Sequence, residues 1–298
     1  MAIEIIPIDE QPRANGFMWG GKTVGIAAAT AGGAWMINAY GLRAAWLGHA
    51  LLVGIVMLIP LLARERPGER LAPWTAGRAA EEAQRLQLGG WRDIGSSLLQ
   101  VFLLPGSLVL ALVGCIYMLG TGLIGAMLPV LTVQQLGWTN VEYSDLSAGA
   151  GLVAGLIGML AGGLLAERLG PWRAVAFSSL LLAAAATAMG LLPMMWHLRL
   201  SVQAYVFAVL LLDTLISIAF FAAVMRICWK RVAATQFSLY MAIANIGLSG
   251  GSALLGPMRQ WFEYSTIFFA LACCALAVVV LTRLVDANRL SEEVRALG

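Results

Sequence analysis

The sequence predicts an all-α polytopic membrane protein with eight spanning helices. Three observations carry this expectation. Of 298 residues, 60% are hydrophobic and only 12% charged, whereas soluble chains carry about 25% charged residues. Eight stretches supply the ~20 mostly apolar residues needed to cross a hydrocarbon core about 30 Å thick at 1.5 Å per residue. The Lys and Arg residues fall in short clusters between these stretches, a placement that speaks to topology and not to a polyanionic partner such as nucleic acid.

The opening MAIEIIPIDEQPRANG has no basic region ahead of an apolar core and so does not read as a secretory signal. Met1 to Pro7 reads instead as the end of a preceding helix. Spans are expected at 17–40 and 44–63. Next comes the one long polar stretch, 64–97, with Arg64, Glu65, Arg66, Glu69, Arg70, Arg78, Glu81, Glu82, Arg85, Arg92 and Asp93. Within it Ala76 to Leu88 reads as an amphipathic helix whose charges pair at i+3 or i+4. Six more spans follow at 104–134, 146–166, 173–195, 202–225, 233–256 and 264–285. The chain thus divides into a two-helix piece (1–63), a cytoplasmic linker (64–97) and a six-helix part (98–298).

Residues 94–141 contain no charge and have room for two helices, so the positive-inside rule decides the count. With one span there, sixteen of the nineteen basic residues lie on the cytoplasmic side and only Arg43, Arg199 and Arg259 on the other. With two spans the division becomes ten against nine. One span is therefore expected, and both termini are cytoplasmic.

In lipid, close helix approach depends on small residues. Gly151, Gly155, Gly158 and Gly162 supply them at helical spacing in the fourth span, and Gly21, Gly25, Ala29 and Gly33 make the same offer in the first. Polar residues inside spans are more informative, because each costs free energy in lipid and tends to face a partner or a wet cavity. Asp213, midway along 202–225, is the one deep acidic residue. Ionised there, it costs about 2.5–3.5 kcal/mol on insertion scales. It is the proton-coupling candidate; the other reading is a hydrogen-bonded Asp that only fixes packing.

Ser238, Asn245, Ser249 and Ser252 share one face of the seventh span, and Gly114, Tyr117, Thr121 and Gly125 one face of the third. Tyr117, Thr121, Ser217 and the Ser/Asn stripe are the cavity-lining candidates; the alternative for each hydroxyl is a bond to its own helix at i−4. Lys22 reads as a snorkelling residue near the cytoplasmic end of its span. His49 and His197 are far apart and Cys115, Cys228, Cys273 and Cys274 lie in or beside apolar stretches, so no metal site is expected. No cofactor is expected either. Intramembrane enzymes need paired catalytic groups at helical spacing. One buried Asp and two distant His make a membrane enzyme or assembly factor the weakest reading.

Gly162-Gly163-Leu164-Leu165-Ala166-Glu167-Arg168-Leu169-Gly170-Pro171-Trp172-Arg173 resembles the G-x-x-x-[D/E]-R-x-G loop signature of the major facilitator superfamily. Arg231 with Thr235-Gln236-Phe237-Ser238-Leu239, then Gly256-Pro257 and Tyr264-Ser265-Thr266-Ile267-Phe268-Phe269, looks like the last two helices of AmpG-type muropeptide permeases and their acetyl-CoA transporter relatives. Tyr117-Met118-Leu119-Gly120 opens a span as that family's seventh helix does. Pro7, Asp9, Glu10, Pro12, Arg13, Asn15 and Gly16 resemble the loop before the superfamily's fifth helix.

The resemblance implies helices five to twelve of a twelve-helix fold built around a midplane site, without the first four. It also implies a cytoplasmic gating loop of Gly163, Glu167, Arg168, Gly170 and Arg173. Thr121 stands where AmpG-type permeases tend to carry an acid. The expected function is secondary active transport of a polar or amphiphilic solute, muropeptide-like by resemblance. Proton-coupled alternating access would drive it, in a bacterial inner membrane. Its partners are the lipid bilayer, a small-molecule solute, protons and the missing amino-terminal helices of a longer chain, with no nucleic acid. A truncated permease without autonomous transport is the alternative.

Overall fold

A computed structural model describes residues 6–7, 10–62, 90–285 and 287–297. The amphipathic stretch expected at Ala76 to Leu88 lies outside the described residues. Every regular element among those described is helical.

Seven helical stretches are long and apolar enough to cross a membrane, and the first, Gln11–Leu62, is two helices. Its break is Gly41, at φ 81° and ψ 168°, a left-handed conformation open to glycine because it lacks a Cβ. The chain reverses there. Gly33 packs against His49 and Gly48 against Met36, whereas residues 33 and 49 of one straight helix would stand about 24 Å apart. We call the arms α1 (11–40) and α2 (42–62). Eight spans result, as the apolar stretches predict.

An amphipathic helix, α3 (Trp91–Phe102), precedes the third span. The polar linker read as 64–97 therefore ends in a helix that runs on to Phe102. The remaining spans are α4 (Pro105–Val130, continued by a π-turn over Leu131–Gln135), α5 (Asn140–Leu169), α6 (Pro171–Leu191), α7 (Arg199–Ile227), α8 (Ala233–Trp261) and α9 (Tyr264–Leu284). A short helix α10 (Ala287–Ala296) closes the chain. It tucks buried Leu290 against Gly106 at the start of α4.

Local chemistry sets several boundaries. Thr139 and Glu142 form a reciprocal capping box at the start of α5, satisfying two otherwise orphan donors. Arg199, at the start of α7, donates to Glu142 at 2.8 Å. Between α5 and α6 the turn is made by Gly170 at φ 81° and ψ 145°, with Pro171 opening the next helix.

Helix α7 is the central element, mostly buried where the first stretch is almost wholly exposed. Its Phe220 and Phe221 are fully buried, and Trp19 of α1 stacks on Phe221 at 4.3 Å between ring centroids. Around α7, α4 pairs with α8, α6 with α9, and α1 with α5.

The α1–α5 contact uses glycine, in a register the periodicity did not give. Gly16 faces Gly163, Gly20 faces Gly155 and Met159, and Ala27 faces Gly151, while Gly21 and Gly25 meet nothing within 4 Å. Gly158 and Gly162 face α7 instead, at Thr214 and Ile218. The tightest seam joins α4 to α8. Gly247 sits on the carbonyl of Cys115, Gly251 on that of Leu119, and Gly122 under that of Leu248. Such an approach permits Cα–H contacts to carbonyl oxygens that any side chain would block.

Candidate functional site: a carboxylate held by hydroxyls

Asp213 is the central residue of the 29-residue α7, so its depth follows from helix geometry alone. Two α4 side chains one turn apart reach its Oδ1: Tyr117 donates at 2.7 Å and Thr121 at 2.8 Å. Ser217, one turn further along α7, lies 2.8 Å from the Tyr117 hydroxyl. Since that hydroxyl has one proton, it donates to the carboxylate and accepts from Ser217. Oδ2 has no hydrogen-bond partner among the described residues. The carboxyl group thus has one oxygen tied to protein and one without a partner, an arrangement that leaves an oxygen free to carry a proton.

The surroundings grade from closed to open. Ser217 is 3% exposed and Tyr117 is 5% exposed, while Asp213 and Thr121 are half-buried. On the same face of α4, Gly114 is filled by the ring of Phe220, whereas Gly125 faces open space. On α8, Ser238, Asn245, Ser249 and Ser252 are all exposed. Ser252 also donates to the carbonyls of Gly122 and Leu248, each at 3.1 Å, which ties it to the α4–α8 seam.

From the other side comes α1. The Thr23 hydroxyl lies 3.2 Å from that of Thr214, which places Lys22 at the level of Asp213. Helix α1 begins at Gln11, so Lys22 stands about 16 Å along it. This corrects the reading of Lys22 as a snorkelling residue at a span end, which rested on a hydropathy boundary at residue 17. Lys22 makes no ion pair among the described residues. Its ammonium rests 4.2 Å from the centroid of the Trp19 ring.

At one end of α1, Arg13 Nε lies 2.8 Å from Oε1 and 3.0 Å from Oε2 of Glu167. Gly163 packs on the backbone of Pro12 and Arg13. Asn15, buried beside them, donates to Met225 of α7 and to the carbonyl of Gln11. Gly170 supplies the turn that follows, and Arg173 is exposed on α6. Contacts between α1 and α5 run from this end as far as Ala27 and Gly151. Beyond, Gly32 meets nothing within 4 Å, and Trp35 and Ile37 are exposed. An ion pair and close glycine contacts join the two helices at the Glu167 end.

Residues 1–252 match the family model described as Major Facilitator Superfamily. The chain belongs to this superfamily. Among curated proteins it is similar to the anhydromuropeptide permeases of Escherichia coli strain K12 and of Escherichia coli O157:H7. Each is 28% identical over 171 residues, which is 56% of this chain and 34% of the relative. The chain spans about a third of the length of these relatives in that match. Apolar helices and superfamily membership together make it an integral membrane protein of a transporter superfamily.

For a superfamily member the arrangement is spatially economical. Tyr117, Thr121, Asp213 and Ser217 converge on one point between α4 and α7. Asn245 and Ser249 stand apart on α8, and Glu167 works at the helix ends. Arg168 is in the same turn with no ion pair shown among the described residues.

Proposed function

We propose that this chain acts in secondary active transport, moving a polar solute together with protons by alternating access, with Asp213 as the proton carrier. The observation that carries the proposal is the divided coordination of Asp213, with Oδ1 held by Tyr117 and Thr121 and Oδ2 without a partner among the described residues. The membrane is a bacterial inner membrane, a setting supported by the relatives from Escherichia coli. Muropeptide-like solutes are the first to test, because the relatives are named for them.

Placing the basic residues inside puts the Arg13–Glu167 end and both termini at the cytoplasm. In this reading the α1–α5 contact from Arg13 to Ala27 closes the cytoplasmic side, and the Arg13–Glu167 pair latches it. Arg13 is exposed, so the pair contributes only about 0.2–1 kcal/mol, weak enough to break in each cycle. The two helices of 1–63 and the six of 98–298 are the moving parts, joined by 64–97.

Cysteine accessibility tests the cavity. With Cys115, Cys228, Cys273 and Cys274 replaced by Ser, single cysteines at Thr121, Asn245 and Ser249 are expected to react with a water-soluble thiol reagent added outside. One at Ser217 is expected to stay protected. Protection at Asn245 and Ser249 would turn that face of α8 to lipid and remove the cavity.

One observation favours a second reading. Leu47, Leu51, Leu52, Ile55, Met57 and Ile59 of α2 are all exposed, leaving α2 open round most of its circumference to lipid or to further helices. In that reading the chain transports only when such helices complete the cavity wall.

A further inference from the structure

We infer that Lys22 is the anion anchor of this site, and that the transported solute carries a carboxylate or phosphate group. The inference rests on the transport reading above and adds the substrate's charge to it.

The argument starts from a count of donors and acceptors. Lys22 brings three N–H donors and a full positive charge to mid-span depth, fixed there by the Thr23–Thr214 contact at 3.2 Å. The adjacent Trp19, 5% exposed, has an indole N–H with no acceptor among the described residues. The acidic residues on the helices packed against α1 are Glu142 and Asp145 at one end of α5, Glu167 at the other, and Asp213 alone at mid-span. Asp213 already accepts two hydroxyls on Oδ1 and forms no ion pair with Lys22. Donors exceed acceptors here, and a cation at bilayer depth is costly unless a counter-charge or water meets it.

Stacking on Trp19 recovers part of that cost, since a cation over an indole face is worth about 0.5–2 kcal/mol. The ammonium so placed forms no ion pair with Asp213, and Lys22 is exposed on α1. A lysine serving only as the carboxylate's counter-ion would sit within ion-pair distance. Arranged as it is, the ammonium is preorganised for an anion arriving through the cavity. Coupling follows from the same geometry. When Asp213 carries its proton, the negative charge facing the incoming anion is gone, so proton and anionic solute favour each other's binding.

The chain contains two lysines, Lys22 and Lys230, and this makes a direct test possible. The 298-residue chain in nanodiscs is treated with acetic anhydride, and acetylation of Lys22 is measured by peptide mass spectrometry, with exposed Lys230 as internal reference. N-acetylmuramic acid supplies the carboxylate arm and glucose 6-phosphate the phosphate arm; N-acetylglucosamine and glucose are the neutral counterparts. At least one acidic probe is expected to slow Lys22 labelling about tenfold relative to Lys230, the scale of a charge-assisted hydrogen bond. The neutral probes are expected to leave it unchanged.

Equal protection by acidic and neutral probes would overturn the anion anchor while leaving a solute site in place. Protection by none would overturn it as well, and would assign Lys22 to an internal role with Asp213. Neither result touches proton coupling, which is read separately from Asp213. In binding measurements, Lys22→Arg is expected to keep the acidic preference and Lys22→Gln to lose it with neutral-probe affinity unchanged.

Discussion

Asp213→Asn is expected to abolish proton-driven accumulation in proteoliposomes while leaving solute counterflow within about threefold of wild type. Asparagine keeps the size of the side chain and accepts from Tyr117 and Thr121 through its carbonyl oxygen, so the cluster stays assembled. What it lacks is a proton that comes and goes. The substitution therefore separates coupling from binding, and counterflow serves as the control for folding. If Asp213 only fixed packing, the gradient dependence would survive or both activities would fall together. Tyr117→Phe and Thr121→Val each remove one donor to Oδ1, and each is expected to weaken the cluster by about 1.5–3 kcal/mol, the range for hydrogen bonds to charged groups.

The second large effect belongs to the α4–α8 seam. A Cβ built on Gly251 would collide with the carbonyl of Leu119, and one on Gly247 with the carbonyl of Cys115. Backbone oxygens cannot swing aside as side-chain ends do. Overpacking of this kind typically costs about 1–3 kcal/mol per site. Gly247→Val with Gly251→Val is therefore expected to separate the two helices and lower the unfolding temperature in detergent far below that of wild type. A methyl group added at Gly250 would meet nothing within 4 Å, so Gly250→Ala is expected to leave the unfolding temperature unchanged. Equal losses in both would show that the glycines matter for helix flexibility and not for close approach.

Much of the fold was legible because membrane burial writes itself into long apolar runs. The eight spans and the reversal between the first two depend on residues near one another in sequence. Site assembly does not. Tyr117 and Thr121 stood out as one face of a helix and Asp213 as a lone carboxylate, but their meeting spans more than ninety residues. Periodicity sees a face without its partner.

Lys22 was misplaced for a different reason. Hydropathy began its span at residue 17, whereas the helix starts at Gln11 through polar residues that pack on α5 and α7. The six added residues carry Lys22 from the edge to the middle. On α8 the eye falls on the polar stripe of Asn245 and Ser249. The tight contact uses another face, where Gly247 and Gly251 carry no hydropathic signal.

The central claim is that the Asp213 carboxyl gains and loses a proton within its hydroxyl cluster. Infrared difference spectroscopy of the nanodisc-embedded chain, recorded between alkaline and acidic buffer, tests it most directly. The account predicts a protonated-carboxyl C=O band in the wild type that is missing from Asp213→Asn and displaced in Tyr117→Phe, where one hydrogen bond to the group is gone. The same band persisting in Asp213→Asn would contradict the account and assign the proton to another carboxyl.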